Sequence, residues 1–233
     1  VTCNGDANGS VSVTGSGGTV AGDYTYLWNN GQTTATASNL APGTYTVTIK
    51  DDNNCSSSAG PVSITEPAVL TASMGVPTMV SCNGGSDGNV TVTGLGGTVA
   101  GDYTYLWSNG QTTATATGLV AGSYTVTITD DNSCQASAGP VTITEPTLVV
   151  ATMGLPTMVT CNGDADGSVT VTGSGGTVAG DYTYLWSNGQ TTATATGLVA
   201  GSYTVTITDD KSCQASAGPV TITEPTIVRA SMA

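Results

Sequence analysis

The chain has 233 residues and a formal net charge of −13, from 16 acidic and three basic residues, with no histidine. This balance argues against nucleic-acid binding and against attraction to an anionic membrane, because both need clusters of Lys and Arg. No apolar run is long enough to cross a membrane. The sequence shows no signal peptide and does not begin with Met. We expect it to be a mature piece of an exported protein.

The same sequence recurs three times along the chain with a period of 79 residues. Cys3, Cys82 and Cys161 keep this spacing, and one Trp and a second Cys per copy keep it as well. A period of this length fits a small domain better than a solenoid unit. We predict repeat 1 at 1–67, repeat 2 at 68–146 and repeat 3 at 147–225. Residues 226–233 would be the first strand of a following repeat or a donor strand.

Within one repeat, the residues alternate between apolar and polar, as half-buried antiparallel strands do. In repeat 2 the pattern predicts strands near 69–74, 78–82, 89–94, 103–108, 112–117, 122–130 and 135–144. The Asn-Gly pair within 108–111 predicts a tight hairpin between the fourth and fifth of these strands. About seven short strands per repeat indicate an all-β fold of tandem immunoglobulin-like sandwiches.

Two further features support such a sandwich. Trp107 and its copies are placed to pack in the core, and the stretch Leu119–Tyr124 is typical of a tyrosine corner, in which a Tyr hydroxyl bonds to upstream backbone. Antibody-like domains carry a Cys two residues after that Tyr, whereas Val126 stands there in this chain. We therefore expect an aliphatic core and a disulfide elsewhere.

The six cysteines admit two pairings that respect the period. The first closes one loop inside each repeat, as Cys3–Cys55, Cys82–Cys134 and Cys161–Cys213, and we favour it because each repeat becomes self-contained. The second links neighbouring repeats through Cys55–Cys82 and Cys134–Cys161. Disulfides indicate an extracellular or cell-surface protein, while two Cys per repeat without His do not make a zinc site.

Acidic residues cluster beside the cysteines and suggest a calcium site. The sequence Asp164-Ala-Asp166 is similar to a calcium loop, and under the first pairing it would meet Asp209 and Asp210. Glu66, Glu145 or Glu224, each before a Pro, would add a ligand. The alternative is that Asp serves turn geometry. The complete candidate set is Asp6, Asp51, Asp52, Asp87, Asp130, Asp131, Asp164, Asp166, Asp209 and Asp210.

Other functions find less support in the sequence. The Thr row at 112–117 would suit ice or sugar binding, although solvent-facing strand positions favour Thr in any case. Tyr24, Tyr26 and Trp28 would stack on a sugar if exposed, but their shared face favours core packing. Without His there is no Ser-His or Cys-His arrangement, so we predict no enzyme. A lysine-based isopeptide bond also fails, because repeat 2 has no Lys.

Several linked motifs in fixed order resemble the SprB-type repeat. In repeat 3 they are CNGDADGSVTV from Cys161, then GGT, YTYLWSNGQTT, GLVAGSYTVTITD, Cys213 and TITEP ending at Pro225. Such repeats occur in very long surface adhesins of gliding Bacteroidota. The resemblance implies secretion, through a type IX system, and a role in surface attachment or motility. TVAGD stands where the family often has a Pro-rich turn.

The two ends of the chain are one strand out of phase. Repeat 1 lacks the strand that opens the other repeats, whereas Ile227, Val228, Ala230 and Met232 repeat that strand's pattern at the far end. An uncompleted sheet edge invites strand addition from a second copy, and such a head-to-tail contact propagates. The alternative is a window within one very long chain. We thus expect a structural or adhesive stalk or filament, with a carbohydrate-binding, lectin-like module as the alternative.

Overall fold

The computed structural model describes residues 1–232, and these form strands without any helix. The strands, in chain order, are β1 Gly9–Ser12, β2 Thr25–Trp28, β3 Thr36–Leu40, β4 Gly43–Lys50, β5 Ser56–Ile64, β6 Ala68–Met74, β7 Gly88–Gly97, β8 Thr104–Trp107, β9 Thr115–Leu119, β10 Gly122–Thr129, β11 Gln135–Ile143, β12 Val150–Met153, β13 Gly167–Ser174, β14 Thr183–Trp186, β15 Thr194–Leu198, β16 Gly201–Thr208 and β17 Gln214–Ile222. The alternation in the sequence thus predicted the secondary-structure class correctly.

Each repeat is built from two small antiparallel sheets. Repeat 3 has the orders β12-β13-β15 and β14-β16-β17, and repeat 2 has β6-β7-β9 and β11-β10-β8. This arrangement confirms the immunoglobulin-like fold class, with six strands in place of about seven. The predicted strand at 78–82 is reduced to one isolated bridge, Thr78 to Asn89, and the strand predicted at 112–117 is β9, shifted toward Leu119.

The hairpin predicted at the Asn-Gly pair is wrong. Trp107 N–H still donates to Gln111 O at 2.9 Å, and Gly110 adopts a positive φ of 86°, so the chain does make a tight turn. The strands on either side of that turn belong to different sheets, since β8 pairs with β10 and β9 lies beside β7. The turn therefore carries the chain from one sheet to the other.

The core of repeat 3 is formed by the inward faces of both sheets. Trp186 is 2% exposed, and its indole N–H donates to Thr192 O at 2.8 Å. Along β16, the buried Val205 and Ile207 alternate with Thr204, Thr206 and Thr208, of which the first is exposed and the other two are half-buried. The Tyr203 hydroxyl donates to Val199 O at 3.1 Å, which confirms the tyrosine corner. The predicted core positions of Trp and Val are confirmed.

Repeat 1 has only two strands, β1 and β3, in the sheet that has three in the other repeats. The missing strand leaves part of its core only half-buried. This applies to five residues whose equivalents in repeat 3 are buried: Val11, Val13, Tyr45, Ile49 and Ile64, against Val169, Val171, Tyr203, Ile207 and Ile222.

The chain divides into two compact units that do not coincide with the repeats. One consists of Val1–Val76, Thr91–Ala116 and Tyr124–Val141, and the other of Pro77–Val90, Thr117–Ser123 and the chain from Thr142 onward. No helix within residues 1–232 is long and apolar enough to span a membrane.

Candidate functional site

One loop of each repeat holds a cysteine in a fixed setting. We call residues 3–5, 82–84 and 161–163 the Cys-Asn-Gly loops. In repeat 2, Gly84 N–H donates to a Glu145 carboxylate oxygen at 2.7 Å, and Asn83 Nδ2 donates to Pro146 O at 3.1 Å. The same two bonds recur in the other repeats, from Gly5 to Glu66 and Asn4 to Pro67, and from Gly163 to Glu224 and Asn162 to Pro225.

A second feature, the Asp-Cys turn, holds the other cysteine of each repeat; the three turns are residues 51–55, 130–134 and 209–213. In repeat 2, one Asp130 oxygen accepts from Cys134 N–H at 2.8 Å and Asn132 N–H at 3.0 Å, and the other accepts from Thr98 N–H at 2.8 Å. Asp51 and Asp209 accept the equivalent bonds. The carboxylate thus fixes both the turn and the loop that packs on it.

These bonds lower the pKa of the turn carboxylates, because backbone N–H groups stabilise the ionised form. The Thr98 N–H is the largest cause for Asp130, and Thr19 N–H is the largest cause for Asp51. At Asp209 desolvation is the largest influence and opposes ionisation, but the N–H groups of Thr177, Cys213 and Lys211 together outweigh it, so its pKa is also lowered.

Two disulfides join a Cys-Asn-Gly loop to the Asp-Cys turn of the following repeat. Cys3 bonds to Cys134 with a Cα–Cα distance of 5.7 Å, and Cys82 bonds to Cys213 with a Cα–Cα distance of 5.6 Å. Both pairs are 131 residues apart in sequence. At the first joint, Asn132 Nδ2 also donates to Thr2 O at 3.0 Å. Each joint lies wholly within one of the two units.

Both predicted pairings are therefore wrong, and the strand register gives the reason. Cys3 lies at the end of repeat 1 where Val1 N bonds to Thr65 O at 2.8 Å. Cys55 lies at the opposite end, where Lys50 pairs with Ser56. The eight residues of β4 separate the two ends by about 25 Å. A disulfide needs Cα atoms within about 7 Å, so Cys3 cannot pair with Cys55.

Cys55 and Cys161 are free and exposed. The prediction that they are disulfide-bonded like the other four cysteines is therefore wrong. Cys55 belongs to an Asp-Cys turn and Cys161 to a Cys-Asn-Gly loop, so one unpaired member of each kind is present. Cys55 borders a cavity of about 150 Å³ that Gly18 and Tyr24 also line, and Cys161 borders one of about 380 Å³ with Ile227 and Val228.

The predicted calcium residues lie in the Asp-Cys turns and in the residues that follow the Cys-Asn-Gly loops. Asp51, Asp130 and Asp209 accept backbone N–H groups as described above, and Asp52, Asp131 and Asp210 accept from Ala21, Ala100 and Ala179 N–H. Asp6, Asp87 and Asp166 bond to residues 2–3, 81 and 160 respectively. Within residues 1–232, no three Cys, Asp or Glu side chains are grouped so as to hold a metal ion. Calcium binding stays a prediction, which a chelator-dependent melting temperature would test.

The Thr rows and the aromatic residues are engaged within the protein. Thr91 and Thr115 hydroxyls bond to each other across the sheet at 2.8 Å, and Thr113 Oγ1 donates to Thr115 O at 2.7 Å. The Tyr24 hydroxyl donates to Gly17 O at 2.6 Å, and the ring of Trp28 is 3% exposed. Trp28 is therefore a core residue, as its shared face predicted, whereas Tyr24 and Tyr26 are half-buried.

The residues that sequence reasoning missed are the Asn and Glu that anchor the Cys-Asn-Gly loops. Their signal was present, since every Cys-Asn-Gly is followed at constant spacing by Glu-Pro. Glu66, Glu145 and Glu224 were considered only as extra calcium ligands, whereas they accept the loop N–H groups.

Comparison with known families identifies the repeat. The SprB repeat matches residues 1–33, 75–112 and 156–191, once in each of the three copies. The chain thus carries three tandem SprB repeats, as the motifs predicted. No curated protein matches the chain.

Solved structures with distant similarity include multidomain and repeat proteins. The three N-terminal domains of the bacteriophage RB49 outer capsid protein Hoc share 23% identity, cover 64% of this chain and 57% of their own, and give a TM-score of 0.39. The eight N-terminal immunoglobulin domains of the Down syndrome cell adhesion molecule share 13% identity with this chain. The match covers 91% of this chain and 33% of theirs, with a TM-score of 0.37. A tetra-tandem repeat from the extending region of a large adhesion protein shares 18% identity with this chain. The match covers 93% of this chain and 66% of that structure, with a TM-score of 0.23. The chain thus spans little over half the length of the Hoc structure and a third of the length of the cell adhesion molecule. TM-scores below 0.5 carry no argument about function.

Proposed function

We propose that this chain of three SprB repeats is a non-enzymatic structural segment of an extracellular adhesin, and that it transmits tension between a bacterial surface and what the cell is attached to. The observation that carries the proposal is the pairing of cysteines between successive repeats. A disulfide inside a repeat would stabilise that repeat alone. A disulfide between repeats limits how far the chain can lengthen under tension when one of them unfolds.

The disulfides between repeats also explain why each cysteine lies in a loop or turn that is held by hydrogen bonds. Closing a loop of 131 residues stabilises the folded chain by on the order of 5 kcal/mol in the chain-entropy view. The Glu and Asn anchors on one side and the Asp acceptor on the other hold both sulfur atoms in place before the bond forms. An oxidising, extracellular location is where such bonds persist.

The experiment is a detachment assay on the source cells under controlled flow. Antibody against the repeats should label intact cells, and a membrane-impermeant reductant should lower the shear at which cells detach. Cells carrying Cys82→Ser together with Cys213→Ser should detach at the lower shear without reductant. An intracellular location, or attachment that does not depend on the protein, would contradict the proposal.

A carbohydrate-binding module was the alternative from the sequence, and no contact in the structure favours it over the structural function. The Trp rings lie in the core, and the Thr hydroxyls bond across the strands. Binding of the reduced or oxidised chain to a glycan array would reverse this preference.

A further inference from the structure

We propose that a second copy of this chain docks head to tail on the first, that its segment 226–232 fills a groove in repeat 1, and that a Cys161–Cys55 disulfide between the copies closes the joint. This inference extends the proposed tension-bearing function from one chain to a series of chains. The joint would reproduce, between copies, the two joints present inside each chain.

The pattern of the cysteines fits a second copy of the chain as the partner. Each joint connects the Cys-Asn-Gly loop of one repeat to the Asp-Cys turn of the next, in the chain direction. Two such joints use four of the six cysteines. The Asp-Cys turn that remains is in repeat 1, and the Cys-Asn-Gly loop that remains is in repeat 3. The unpaired groups are therefore complementary between two copies.

Both unpaired features already have the geometry of their bonded equivalents. The Cys161 loop has the Gly163 N–H to Glu224 bond at 2.8 Å, against 2.7 Å for the bonded loop of repeat 2. The Cys55 turn has the Cys55 N–H to Asp51 bond at 2.7 Å, against 2.8 Å in the bonded turn of repeat 2. Neither feature has to refold before pairing.

An apolar groove in repeat 1 lies where the missing strand would pack. It has a volume of about 250 Å³ and is lined by Val11, Val13, Trp28, Tyr45, Val47 and Gly60 among others. In repeat 2 the equivalent of Gly60 is Gly139, and there the Met74 methyl group of β6 lies 3.1 Å from the position of a Cβ on Gly139. The groove is thus the site that β6 occupies in the next repeat.

The segment 226–232 has the side chains that this groove needs. It corresponds to 147–153, where Val149 is 6% exposed and packs in the core with Ala151 and Met153. Its own equivalent residues, Val228 and Met232, are 96% and 103% exposed. Ile227 corresponds to Leu148, which lies just before the paired strand β12 and stays 62% exposed. The face of Val228, Ala230 and Met232 would therefore be buried, and Ile227 would not.

The covalent step needs an oxidant, and oxidised glutathione is sufficient. The Cys161 thiolate attacks its disulfide, forming a mixed disulfide and releasing one glutathione thiolate. The Cys55 thiolate of the second copy then attacks the Cys161 sulfur and releases the second. The two protein thiols lose two protons and two electrons, and one oxidised glutathione becomes two reduced glutathione molecules.

The test mixes two single variants of the full chain in a glutathione redox buffer. Cys55→Ser retains only Cys161 free, and Cys161→Ser retains only Cys55 free. Each variant alone should stay at 22.9 kDa on a non-reducing gel, whereas the mixture should give a dimer and no larger species. Mass spectrometry of the dimer should find a Cys161–Cys55 peptide. The unmodified chain should give a ladder that reductant collapses to the monomer.

Two matched substitutions in Cys55→Ser test the strand. Val228→Asp should lower the initial rate of dimer formation by about tenfold or more. The reason is that burial of one Val side chain strengthens an equilibrium by about ten- to a hundredfold. Ile227→Asp should leave the rate within about twofold, because single exposed substitutions change little. Equal slowing by both would overturn the strand contribution.

Three other outcomes would overturn the proposal. One is equal dimer yield from each variant alone, and another is no dimer from the mixture. The third is that protein from the source cells, boiled with reductant, runs above the mass of this chain, because the groove would then hold a repeat of the same long polypeptide. None of these results affects the internal disulfides on which the tension-bearing function rests.

Discussion

At the scale of single residues, a buried carboxylate holds each Asp-Cys turn against a neighbouring loop of the same repeat. The Asp130 side chain is 6% exposed and accepts backbone N–H groups from its own turn and from Thr98 in another loop. The close approach is possible because Gly97, at a φ of +69°, lacks the Cβ that would lie 2.5 Å from an Asp130 oxygen. A neutral Asp could not accept all of these bonds equally well.

The first prediction is a loss of stability in acid. The pKa values of Asp51, Asp87, Asp130, Asp166 and Asp209 are lowered in the folded chain. The stability that these ionised carboxylates contribute is fully present above their pKa in the unfolded chain, about 4. It is lost as the pH falls through their pKa values in the folded chain. The thermal midpoint should therefore hold from pH 7 to 5 and fall below about pH 4. Replacing Asp51, Asp130 and Asp209 by Asn should lower the midpoint at pH 7 and flatten its acid dependence. A midpoint equal at pH 7 and pH 2 in the unmodified chain would contradict this.

The second prediction concerns backbone strain in the same turn. Ser133 and Ser212 have φ values of 65° and 67°, and the equivalent position in repeat 1 is Asn54 at 65°. Asn tolerates this left-handed conformation better than Ser. Ser133→Asn should stabilise the fold by about 0.5 kcal/mol, measured by urea unfolding. Ser123→Asn, at a strand position, is the control and should give no gain. Destabilisation by Ser133→Asn would show that the Ser hydroxyl matters more than the backbone.

At the scale of elements, the Cys-Asn-Gly loop is held by one carboxylate and one amide, and these bonds should set how readily its disulfide is reduced. Glu145→Ala removes the acceptor of Gly84 N–H. We expect the Cys82–Cys213 bond of this variant to be reduced at a lower dithiothreitol concentration, measured by alkylation and mass spectrometry.

The chain supplies its own control for this third prediction. Glu224→Ala makes the same change at the loop of Cys161, which is unpaired, and should leave reduction of Cys82–Cys213 unchanged. If both variants behave alike, the Glu acts through general stability and not through the geometry of the loop.

The elements also show what the sequence could and could not predict. The alternation along β10 and β16 and the position of Trp107 predicted strands and core, because burial of one face imposes period two. The pairing of Cys3 was mispredicted because spacing alone does not show at which end of a sandwich a residue lies. The register does show it, since Cys3 precedes β1 and Cys55 follows β4. The hairpin prediction at the Asn-Gly turn was wrong for a similar reason. A tight turn does not determine which strand pairs with the strand that precedes it.

At the scale of the whole chain, the two disulfides create a short covalent route between the termini. It runs from Val1 to Cys3, crosses to Cys134, follows the backbone back to Cys82, crosses to Cys213 and continues to the end. The route contains about 75 residues, or roughly 250 Å when fully extended, whereas the complete backbone extends to roughly 800 Å. Unfolding of the repeats can therefore lengthen the oxidised chain only as far as the short route allows.

The fourth prediction is that this limit appears in single-molecule stretching. The oxidised chain, held by its termini, should reach a contour length of about 250 Å, and the same chain in reductant should reach about 800 Å. The Cys82→Ser, Cys213→Ser double variant keeps only the first disulfide and should reach about 350 Å without reductant. The double variant distinguishes this pairing from disulfides within each repeat, because a chain that kept only a Cys3–Cys55 bond would reach about 600 Å. Equal contour lengths for the double variant and the unmodified oxidised chain would contradict the Cys82–Cys213 bond and, with it, the limit on extension on which the tension-bearing function depends.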